Sequence, residues 1–399
     1  MSTPLNIKHR NAVLKSMIKW LKEDKVALLD ANKKDMESYL GDDIAMYDRL
    51  KVDDAKINGM IRSLQELEQQ KDPLNIERFH FEHENGMLVS NRTAPFGTVL
   101  IIYESRPDVT VEAAGIAFKS GNKILLKGGK ESLNSNLVLV EMWHKALSEN
   151  QVSTAWVEYL EYDRNETQDF LENPTQKLDL IVPRGGEKLI AFVKQHATCP
   201  VIVSGRGNNF VFVDVDADQQ MAMDIIINAK TTKISACNAL DKVLIHDRLK
   251  NKSDFIGNLI SKLLESNVTI WVDDHLEGFE NTTKIKNDAI WYEEFLDYKI
   301  LLGAVNHLEE AIGKINTYGG GHSAAIITKN EAAANEFMNR VDTAAVYHNA
   351  STRFTDGGQF GLGGELAIST DKLHQRGPIG LQHLVTNKWY IKGNGQVRY

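Results

Sequence analysis

Cys237 is the residue of this sequence best suited to covalent chemistry. It lies in a small, polar, non-periodic segment, Ser235–Ala239, between a predicted helix over about 218–230 and a predicted strand at Val243–His246. A thiol at the start of an element, followed by an amide side chain, suits a nucleophile whose oxyanion needs nearby hydrogen-bond donors. A free cysteine that only packs in the interior also fits this context. For Cys199, packing is the preferred interpretation.

Arg353 is the second candidate, because its polar loop, Asn349–Gly357, is rich in hydrogen-bond donors. A guanidinium there could clamp a carboxylate or a phosphate with two parallel hydrogen bonds. The alternative is a surface salt bridge between Arg353 and Asp356. The glycine-rich turn Phe360–Gly364 that follows could approach a ring or a ribose closely.

The glycine patterns limit the nucleotide sites that the sequence allows. The Gly-x-Gly-x-x-Gly fingerprint is absent, since Gly205-Arg206-Gly207 is followed three residues later by Phe210. The Gly-x-x-x-x-Gly-Lys-[Ser/Thr] phosphate loop is absent too, so a Rossmann fingerprint and a Walker NTPase are both disfavoured. A helix after Gly128-Gly129 could still bind phosphate at its N-terminus, beside Lys127 at the end of the preceding strand.

Composition and charge favour a soluble protein over a membrane or nucleic-acid-binding protein. The 399 residues are 42% hydrophobic and 25% charged, with a net charge of -8 and no basic patch for nucleic acid. With two cysteines, no leader and no apolar run of about 20 residues, we expect a reduced, cytoplasmic protein outside the membrane. The closely spaced His80 and His83 are interpreted as surface residues, and no metal site is predicted.

The elements that must position these residues are visible in the periodicity. Leu14, Met17, Ile18 and Leu21 have helical spacing, and the first eighty residues are predicted to be helical. Asn85-Gly86 predicts a two-stranded ribbon over 78–92, and the last fifteen residues are predicted to be extended.

Between these two segments, short apolar strands alternate with amphipathic helices, which predicts parallel sheets covered on both faces. The predicted helices cover 109–119, 132–148 and 165–173. The predicted strands are Thr98–Ile102, Lys123–Lys127, Trp156–Leu160, Leu178–Val182, Val201–Ser204, Phe210–Asp214, Val243–His246 and Val268–Val272.

From about residue 92 to 385 the sequence resembles the aldehyde dehydrogenase superfamily, and within it the family of glutamate-5-semialdehyde dehydrogenases. The segments that carry the resemblance are Ile102–Pro107, Lys119–Asn122, Val182–Gly186, Ser235–Ala239, Asn349–Gly357 and Arg376–Leu381. Cys237 matches the family's nucleophile. The resemblance implies NADPH-dependent reduction of L-glutamyl 5-phosphate to glutamate 5-semialdehyde and phosphate through a cysteine thioester, in proline biosynthesis.

The resemblance also implies roles for individual residues. Cys237 and Asn238 would be catalytic, with backbone N–H groups near Cys237 holding the oxyanion. The substrate would be bound by Arg353, Ser351, Thr352, Arg106 and His322. The NADP cofactor would be bound by Ser105, Lys127, Arg184, Gly185, Gly186, Glu294 and Phe360. Ile202 stands where hydrolytic members of the superfamily carry a glutamate base, and an apolar side chain cannot activate water.

The implied architecture is α/β, aldehyde-dehydrogenase-like, with two parallel-sheet domains and a small β-ribbon for oligomerisation. Residues 1–77 and 93–233, with 364–385, would form the nucleotide-binding domain, and 234–363 the catalytic domain. The ribbon at 78–92 and the tail at 386–399 would make a homo-oligomer, since a ribbon with exposed aromatic residues otherwise lacks a partner. The remaining implied partner is glutamate 5-kinase, through functional coupling.

Two departures from the family pattern leave alternatives open. The turn before Phe210 reads Ser204–Asn209 in place of a His-x-Asp-Gly-x-Cys-His-like stretch, and Gly319–Gly321 adds glycines beside His322. The chain could therefore be a related acyl-phosphate or CoA-acylating aldehyde dehydrogenase with another acidic substrate. A non-catalytic relative is the other alternative. The sequence leaves NADPH against NADH and dimer against tetramer undecided.

Overall fold

The computed structural model describes residues 5–41, 44–373 and 375–398, and the chain forms two compact units. The first contains Met1–Val203, Gly361–Ala367 and Ile379–Tyr399, and the second contains Ser204–Phe360 and Ile368–Pro378. The units divide at Val203, earlier in the chain than the predicted boundary after residue 233. The functions predicted for the domains stay predictions.

Local sequence explains where the helices begin and which faces they bury. The first helix starts after Asn6, whose side chain accepts a hydrogen bond from the His9 amide at 3.0 Å. It buries Leu14, Met17 and Leu21, as the spacing predicts. The helices are α1 (Ile7–Glu23), α2 (Lys25–Ser38), α3 (Ile44–Leu50), α4 (Asp54–Gln69), α5 (Val109–Lys119), α6 (Leu133–Glu149), α7 (Arg164–Glu172), α8 (Glu187–His196), α9 (Gln219–Thr231), α10 (Lys252–Glu265), α11 (Ala289–Tyr292), α12 (Leu308–Tyr318) and α13 (Glu331–Arg340).

The strands are short and mostly apolar. They are β1 (Glu77–Glu82), β2 (Leu88–Pro95), β3 (Thr98–Tyr103), β4 (Lys123–Lys127), β5 (Val157–Tyr159), β6 (Leu180–Arg184), β7 (Asn209–Val213), β8 (Leu240–His246), β9 (Thr269–Val272), β10 (Thr283–Lys284), β11 (Lys299–Val305), β12 (Ser323–Ile327), β13 (Ala345–His348), β14 (Ala367–Ser369), β15 (Gly377–Ile379) and β16 (Val385–Lys392). The pair β14 and β15 forms a small sheet of its own. The predicted strand at Val201–Ser204 is wrong, because only Val201 makes a bridge, parallel to Ile181.

In the first unit, a four-stranded parallel sheet has the order β5-β4-β3-β6. Its strands are buried on both faces, between one apolar cluster that includes α1, α4, α5 and α6 and another that includes α7 and α8. This accounts for the continuous apolar runs of the sequence. A separate antiparallel sheet, β1-β2-β16, contains the predicted ribbon and adds the C-terminal strand to it.

In the second unit, a seven-stranded sheet has the order β10-β9-β11-β8-β7-β12-β13, and all its strand pairs are parallel. Apolar clusters cover its two faces, so β7, β8 and β12 are buried along their whole lengths. Cys237 lies in the turn before β8, at the amino-terminal end of that strand, and Arg353 lies in the loop that follows β13. None of the described helices combines the length and apolar character needed to cross a bilayer.

Candidate active site

Cys237 lies half-buried in the turn that joins α9 to β8. Asn209, the first residue of β7, holds this turn: its side-chain amide donates to the carbonyls of Cys237 at 2.7 Å and Ala239 at 2.6 Å. Asn209 is fully buried, and its Oδ1 accepts from the Ser323 amide at 3.0 Å. A buried amide with several backbone partners fixes the turn, so β7 sets the position of the thiol. Asn209 was not predicted from the sequence. The feature that could have identified it is a polar residue at the first position of a buried strand.

Asn238 is buried beside Cys237, and its side chain holds the loop of Arg353. Its Nδ2 donates to the carbonyl of Arg353 at 3.2 Å and to that of Thr355 at 3.0 Å. Both hydrogens of the side-chain amide are therefore used inside the protein. The catalytic role predicted for Asn238 stays a prediction.

Arg353 is half-buried on the short turn Thr352–Phe354, and part of its guanidinium lacks a partner. Its Nε and Nη1 are buried and make no hydrogen bond to the described residues. Buried N–H groups without an acceptor are costly, so this arrangement favours an anion at the guanidinium. The alternative of a salt bridge to Asp356 is not formed in the described chain, because Asp356 accepts instead from the amides of Gly358 at 2.9 Å and Gln359 at 3.2 Å.

The hydroxyl groups of Ser351 and Thr352 make hydrogen bonds that shape the loop, and the substrate-binding role predicted for both residues stays a prediction. The Ser351 hydroxyl donates to Oδ1 of Asn228 at 2.8 Å and accepts from the Arg353 amide at 3.3 Å. Thr352 is fully buried and donates to the carbonyl of Asn238 at 2.8 Å. These two residues thus connect the Arg353 loop to α9 and to the Cys237 turn.

His322 is buried at the start of β12, with 1% of its surface exposed. Its Nδ1 lies 2.8 Å from the Ser323 hydroxyl, which is 2.7 Å from the Thr355 hydroxyl, which in turn is 2.7 Å from the Tyr347 hydroxyl. Burial lowers the pKa of His322 to about 4, so the imidazole is neutral at physiological pH. Its Nε2 is buried and has no partner among the described residues.

Glu294 and Phe360, both predicted to bind the cofactor, lie in loops of the second unit. Glu294 is half-buried, and its Oε1 accepts from the Gly207 amide at 2.9 Å. A Cβ at Gly207 would collide with the carbonyl of Cys237 and with the Glu294 carboxylate, so only glycine fits there. Gly207 therefore links the Cys237 turn to Glu294. Phe360 is exposed.

In the first unit, two of the family-like segments meet at the carboxyl ends of β3 and β6. Oε1 of Glu104 accepts from the Gly186 amide at 2.9 Å, and the Glu104 amide donates to the carbonyl of Arg184 at 3.1 Å. A Cβ at Gly185 would collide with the Glu104 side chain, so the close approach requires glycine. α8 begins directly after Gly186, which has no side chain to cap it.

Ser105 and Lys127 are held beside Glu131, an acid that the sequence analysis did not single out. The buried Ser105 donates to Oε2 of Glu131 at 2.8 Å, and Lys127 Nζ donates to the carbonyl of Gly128 at 2.8 Å. Burial lowers the pKa of Lys127, and the nearby Glu131 partly opposes this. The ammonium therefore lies in a low-dielectric place with an acid nearby.

Arg106 belongs to a charged cluster of the first unit. Its Nη2 donates to Oδ2 of Asp108 at 2.9 Å, and Lys56 Nζ lies 3.8 Å from Oδ1 of Asp108. Burial and the Asp108 charge raise the pKa of Glu112 to about 7, and the cations Arg106 and Arg184 partly oppose the shift. Burial and Arg106 also lower the pKa of Arg184. The sequence analysis missed Glu112, which stands one helical turn after Asp108.

Two further family-like segments make contacts within the protein. In Lys119–Asn122, Lys119 is fully buried and donates to backbone carbonyls at the end of α4, while Asn122 donates to the carbonyl of Leu384 at 2.9 Å. In Arg376–Leu381, Arg376 pairs with Asp342 at 2.7 Å.

Comparison with known proteins finds a family and near relatives. The model of the aldehyde dehydrogenase family matches residues 3–277. A gamma-glutamyl phosphate reductase of Clostridium botulinum (strain Eklund 17B / Type B) is 41% identical over 391 residues, which cover 98% of this chain and 94% of that protein. One from Dictyoglomus thermophilum is 40% identical over 402 residues, covering 99% of this chain and 95% of that protein.

Solved structures agree with the sequence relatives. The gamma-glutamyl phosphate reductase of Thermotoga maritima is similar with a TM-score of 0.94 and 38% identity, covering 99% of this chain and 95% of that chain. An acetylating aldehyde dehydrogenase from Geobacillus thermoglucosidasius has a TM-score of 0.70 at 14% identity, covering 99% and 94%, and shows the shared fold alone. The predicted aldehyde-dehydrogenase-like α/β fold is confirmed.

Proposed function

Because this chain belongs to the aldehyde dehydrogenase family, and within it to the gamma-glutamyl phosphate reductases, we propose that it reduces L-glutamyl 5-phosphate to L-glutamate 5-semialdehyde and phosphate. The reaction is that of a phosphorylating oxidoreductase and serves proline biosynthesis. The observation that carries this function is the half-buried Cys237, in a turn held by Asn209 and connected through Asn238 to the loop of Arg353.

Cys237 is the nucleophile of the proposed reaction. Its thiolate attacks the carbonyl carbon of the acyl phosphate, a C–S bond forms, and the C–O bond breaks as phosphate leaves with the electron pair. A nicotinamide cofactor, when bound, supplies the hydride that reduces this thioester. The tetrahedral adduct on Cys237 then loses the thiolate, which releases the aldehyde and regenerates the nucleophile. Backbone N–H groups of the Cys237 turn stabilise the oxyanion in both steps.

Arg353 binds the substrate in this proposal. Its buried Nε and Nη1, which lack partners among the described residues, suit the α-carboxylate of the substrate or its phosphate. Ser351 and Thr352 position that loop. On the strength of the family resemblance, Ser351, Thr352, Arg106 and His322 also bind the substrate in this proposal. A neutral His322 would contribute a hydrogen bond rather than a charge.

A nicotinamide cofactor is common to the family, and the residues present fit one. α8 begins directly after Gly186, and the backbone amides of its first turn would face a pyrophosphate, while the Gly186 amide itself donates to Glu104. Glycine at 185 keeps the backbone close to Glu104. Lys127 and Ser105 at the ends of neighbouring strands suit the adenine ribose, with Arg184 beside them. Glu294 would bind the nicotinamide ribose and Phe360 would lie near it. We propose NADP as the cofactor that is used.

The residue at position 202 favours transfer of the acyl group to phosphate over hydrolysis. Ile202 is buried in the apolar cluster of the first unit. It has no group that could deprotonate water, so the thioester on Cys237 is protected from hydrolysis.

We propose that the first unit is mainly nucleotide-binding, that residues 234–363 are catalytic, and that the sheet of β1, β2 and β16 assembles a homo-oligomer in the cytoplasm. Exposed aromatic residues of that sheet support the last assignment. Functional coupling to glutamate 5-kinase would fit an unstable acyl phosphate that must pass directly between two enzymes.

The test runs the reaction backwards, because the acyl phosphate is unstable. Glutamate semialdehyde, NADP and phosphate are supplied, and reduced cofactor is followed by absorbance. Turnover should require phosphate and should fall by roughly a thousandfold or more in Cys237→Ala. Cys199→Ala is the matched control and should retain wild-type activity. Turnover that continues without phosphate would mean a hydrolytic dehydrogenase and would contradict the proposal.

A further inference from the structure

The segment Trp291–Phe295 carries Glu294 and is held by side chains from outside it. Three consecutive carbonyls accept from three different side chains: Trp291 from Asn208 Nδ2 at 2.7 Å, Tyr292 from Arg206 Nη1 at 3.0 Å, and Glu293 from Lys242 Nζ at 2.7 Å. The Phe295 amide donates to Oδ2 of Asp241 at 3.0 Å. Every residue around Glu294 therefore has a backbone group fixed by a side chain.

The side-chain hydrogen-bond partners named above come from two places in the second unit. Arg206, Gly207 and Asn208 belong to the turn before β7, and Gly207 also donates its amide to the Glu294 carboxylate at 2.9 Å. Asp241 and Lys242 belong to β8, directly after the Cys237 turn. The carboxylate of Glu294 is thus set by the same two elements that set the thiol of Cys237.

The segment has little regular structure of its own with which to hold this conformation. α11 is a single turn that ends at Tyr292, and Leu296, after the segment, adopts φ of 48°. A non-glycine residue in the left-handed region costs about 1 kcal/mol or more, so the surrounding contacts must maintain it.

Buried polar groups make the contacts from β8, and burial lowers the pKa of Lys242 to about 7. Lys242 is fully buried, and its Nζ lies 3.6 Å from the centroid of the Phe295 ring. Lys230 donates to Oδ1 of Asp241 at 3.1 Å and to the carbonyl of Leu240 at 2.9 Å, so both oxygens of the Asp241 carboxylate are engaged. Groups so fully desolvated and paired are rigid, because moving one would leave another unpaired.

We propose that Arg206 and Asn208, with Asp241 and Lys242, are positioning residues that aim the Glu294 carboxylate at the nicotinamide ribose, so that the altered turn Ser204–Asn209 governs cofactor affinity and not the choice of acyl substrate. This inference rests on the role proposed above for Glu294. In this proposal, the turn that differs from the family pattern holds the backbone carbonyls of residues 291 and 292.

The experiment compares Arg206→Met with Arg340→Met, a surface arginine that pairs with Glu309 and Glu336. Binding of NADPH is measured directly by the fluorescence of the reduced nicotinamide, and KM values are measured in the reverse assay. In Arg206→Met we expect the Kd for NADPH and the KM for NADP to rise by about tenfold, which corresponds to about 1.4 kcal/mol. The KM for glutamate semialdehyde should stay within about twofold, and Arg340→Met should behave as wild type.

A double-mutant cycle tests whether Arg206 acts through Glu294. Glu294→Gln alone should weaken NADPH binding. Adding Arg206→Met to it should weaken binding little further, because Arg206 affects NADPH binding through the position of Glu294. Arg206→Lys should recover part of the affinity, because an ammonium can reach a single carbonyl.

Two results would overturn the inference. One is an unchanged Kd for NADPH in Arg206→Met together with a raised KM for glutamate semialdehyde, which would assign the turn to substrate choice. The other is full additivity of the two changes in the cycle. Because NADPH binding is measured without turnover, a protein inactive on glutamate semialdehyde would count against the proposed reaction and would leave this test intact.

Discussion

His322 is an ionisable residue kept neutral inside the second unit. It has 1% of its surface exposed and a serine hydroxyl as the partner of Nδ1, and none of the described acids contributes to stabilising a proton on it. Burial alone lowers its pKa from 6.5 to about 4. In the unfolded chain the same imidazole is exposed and titrates near 6.5.

This difference predicts an acid sensitivity of folding. As the pH falls from 6.5 towards 4, the unfolded state binds a proton at His322 and the folded state does not. The free energy of unfolding therefore decreases. The loss is up to about 3 kcal/mol, at about 1.4 kcal/mol per pKa unit. His322→Gln should remove that part of the decrease, as measured by urea unfolding between pH 7 and pH 4.

The exposed His275 provides the matched control, since His275→Gln should keep the pH dependence of the wild type. An identical decrease in the wild type and in His322→Gln would contradict the assignment of this effect to His322.

Within the candidate site, the residue types that carry chemistry were predictable. Their hydrogen-bond partners were not, because Asn209, Asn238 and Thr352 act across the fold.

At the scale of elements, the family-like segment Lys119–Asn122 stabilises the C-terminal end of α4 through the side chain of Lys119. Lys119 donates to the carbonyls of Leu67, Glu68 and Gln70, at 2.8 Å for Glu68 and 2.7 Å for Gln70. The last carbonyls of a helix lack partners inside it, so a buried ammonium satisfies groups that would otherwise be orphaned. α5, which ends at Lys119, is thereby joined to α4.

Replacing the Lys119 side chain should destabilise the first unit and leave the catalytic reaction unaffected. In Lys119→Met one buried and two partly buried carbonyls lose their donor, and we expect the free energy of unfolding in urea to fall by about 2 kcal/mol. The exposed Lys15 of α1 is the control, because Lys15→Met should change stability by less than about 0.5 kcal/mol. Equal stabilities of the two variants would refute the capping role.

At the scale of the whole molecule, the antiparallel sheet exposes an aromatic face. Phe79 and Trp389 pack edge to face at 5.7 Å between ring centroids, and Phe81 lies 6.5 Å from Phe79. All three remain about half exposed. β1 and β16 are also the two edges of their sheet, with backbone groups available for pairing. Such a surface suits a second copy of the chain.

We expect the wild type to be oligomeric at micromolar concentration and Phe79→Ser/Trp389→Ser to be smaller, by light scattering. Replacing two exposed rings removes the apolar area that would drive association. Tyr390→Ser is the control, because Tyr390 points to the opposite face of β16, beside Arg92 and Lys388. A monomeric wild type, or the same mass in all three proteins, would contradict the prediction.

The sequence alone determined the features that depend on local periodicity. Alternating apolar strands and amphipathic helices predicted the parallel sheets, Asn85-Gly86 predicted the ribbon, and the Cys237 turn stood out by its composition. Each of these signals lies within about ten residues of chain. They can be recognised because the backbone geometry of a helix, a strand or a turn fixes the spacing of its apolar and turn-forming residues.

Only the tertiary structure decided how distant segments meet. It divided the units at Val203, paired the C-terminal strand with β2, and brought Arg206 and Lys242 to the carbonyls beside Glu294. It also limited the predicted strand at Val201–Ser204 to a single bridge. Contacts between residues fifty or more positions apart depend on how whole sheets pack, and local patterns carry no record of that packing.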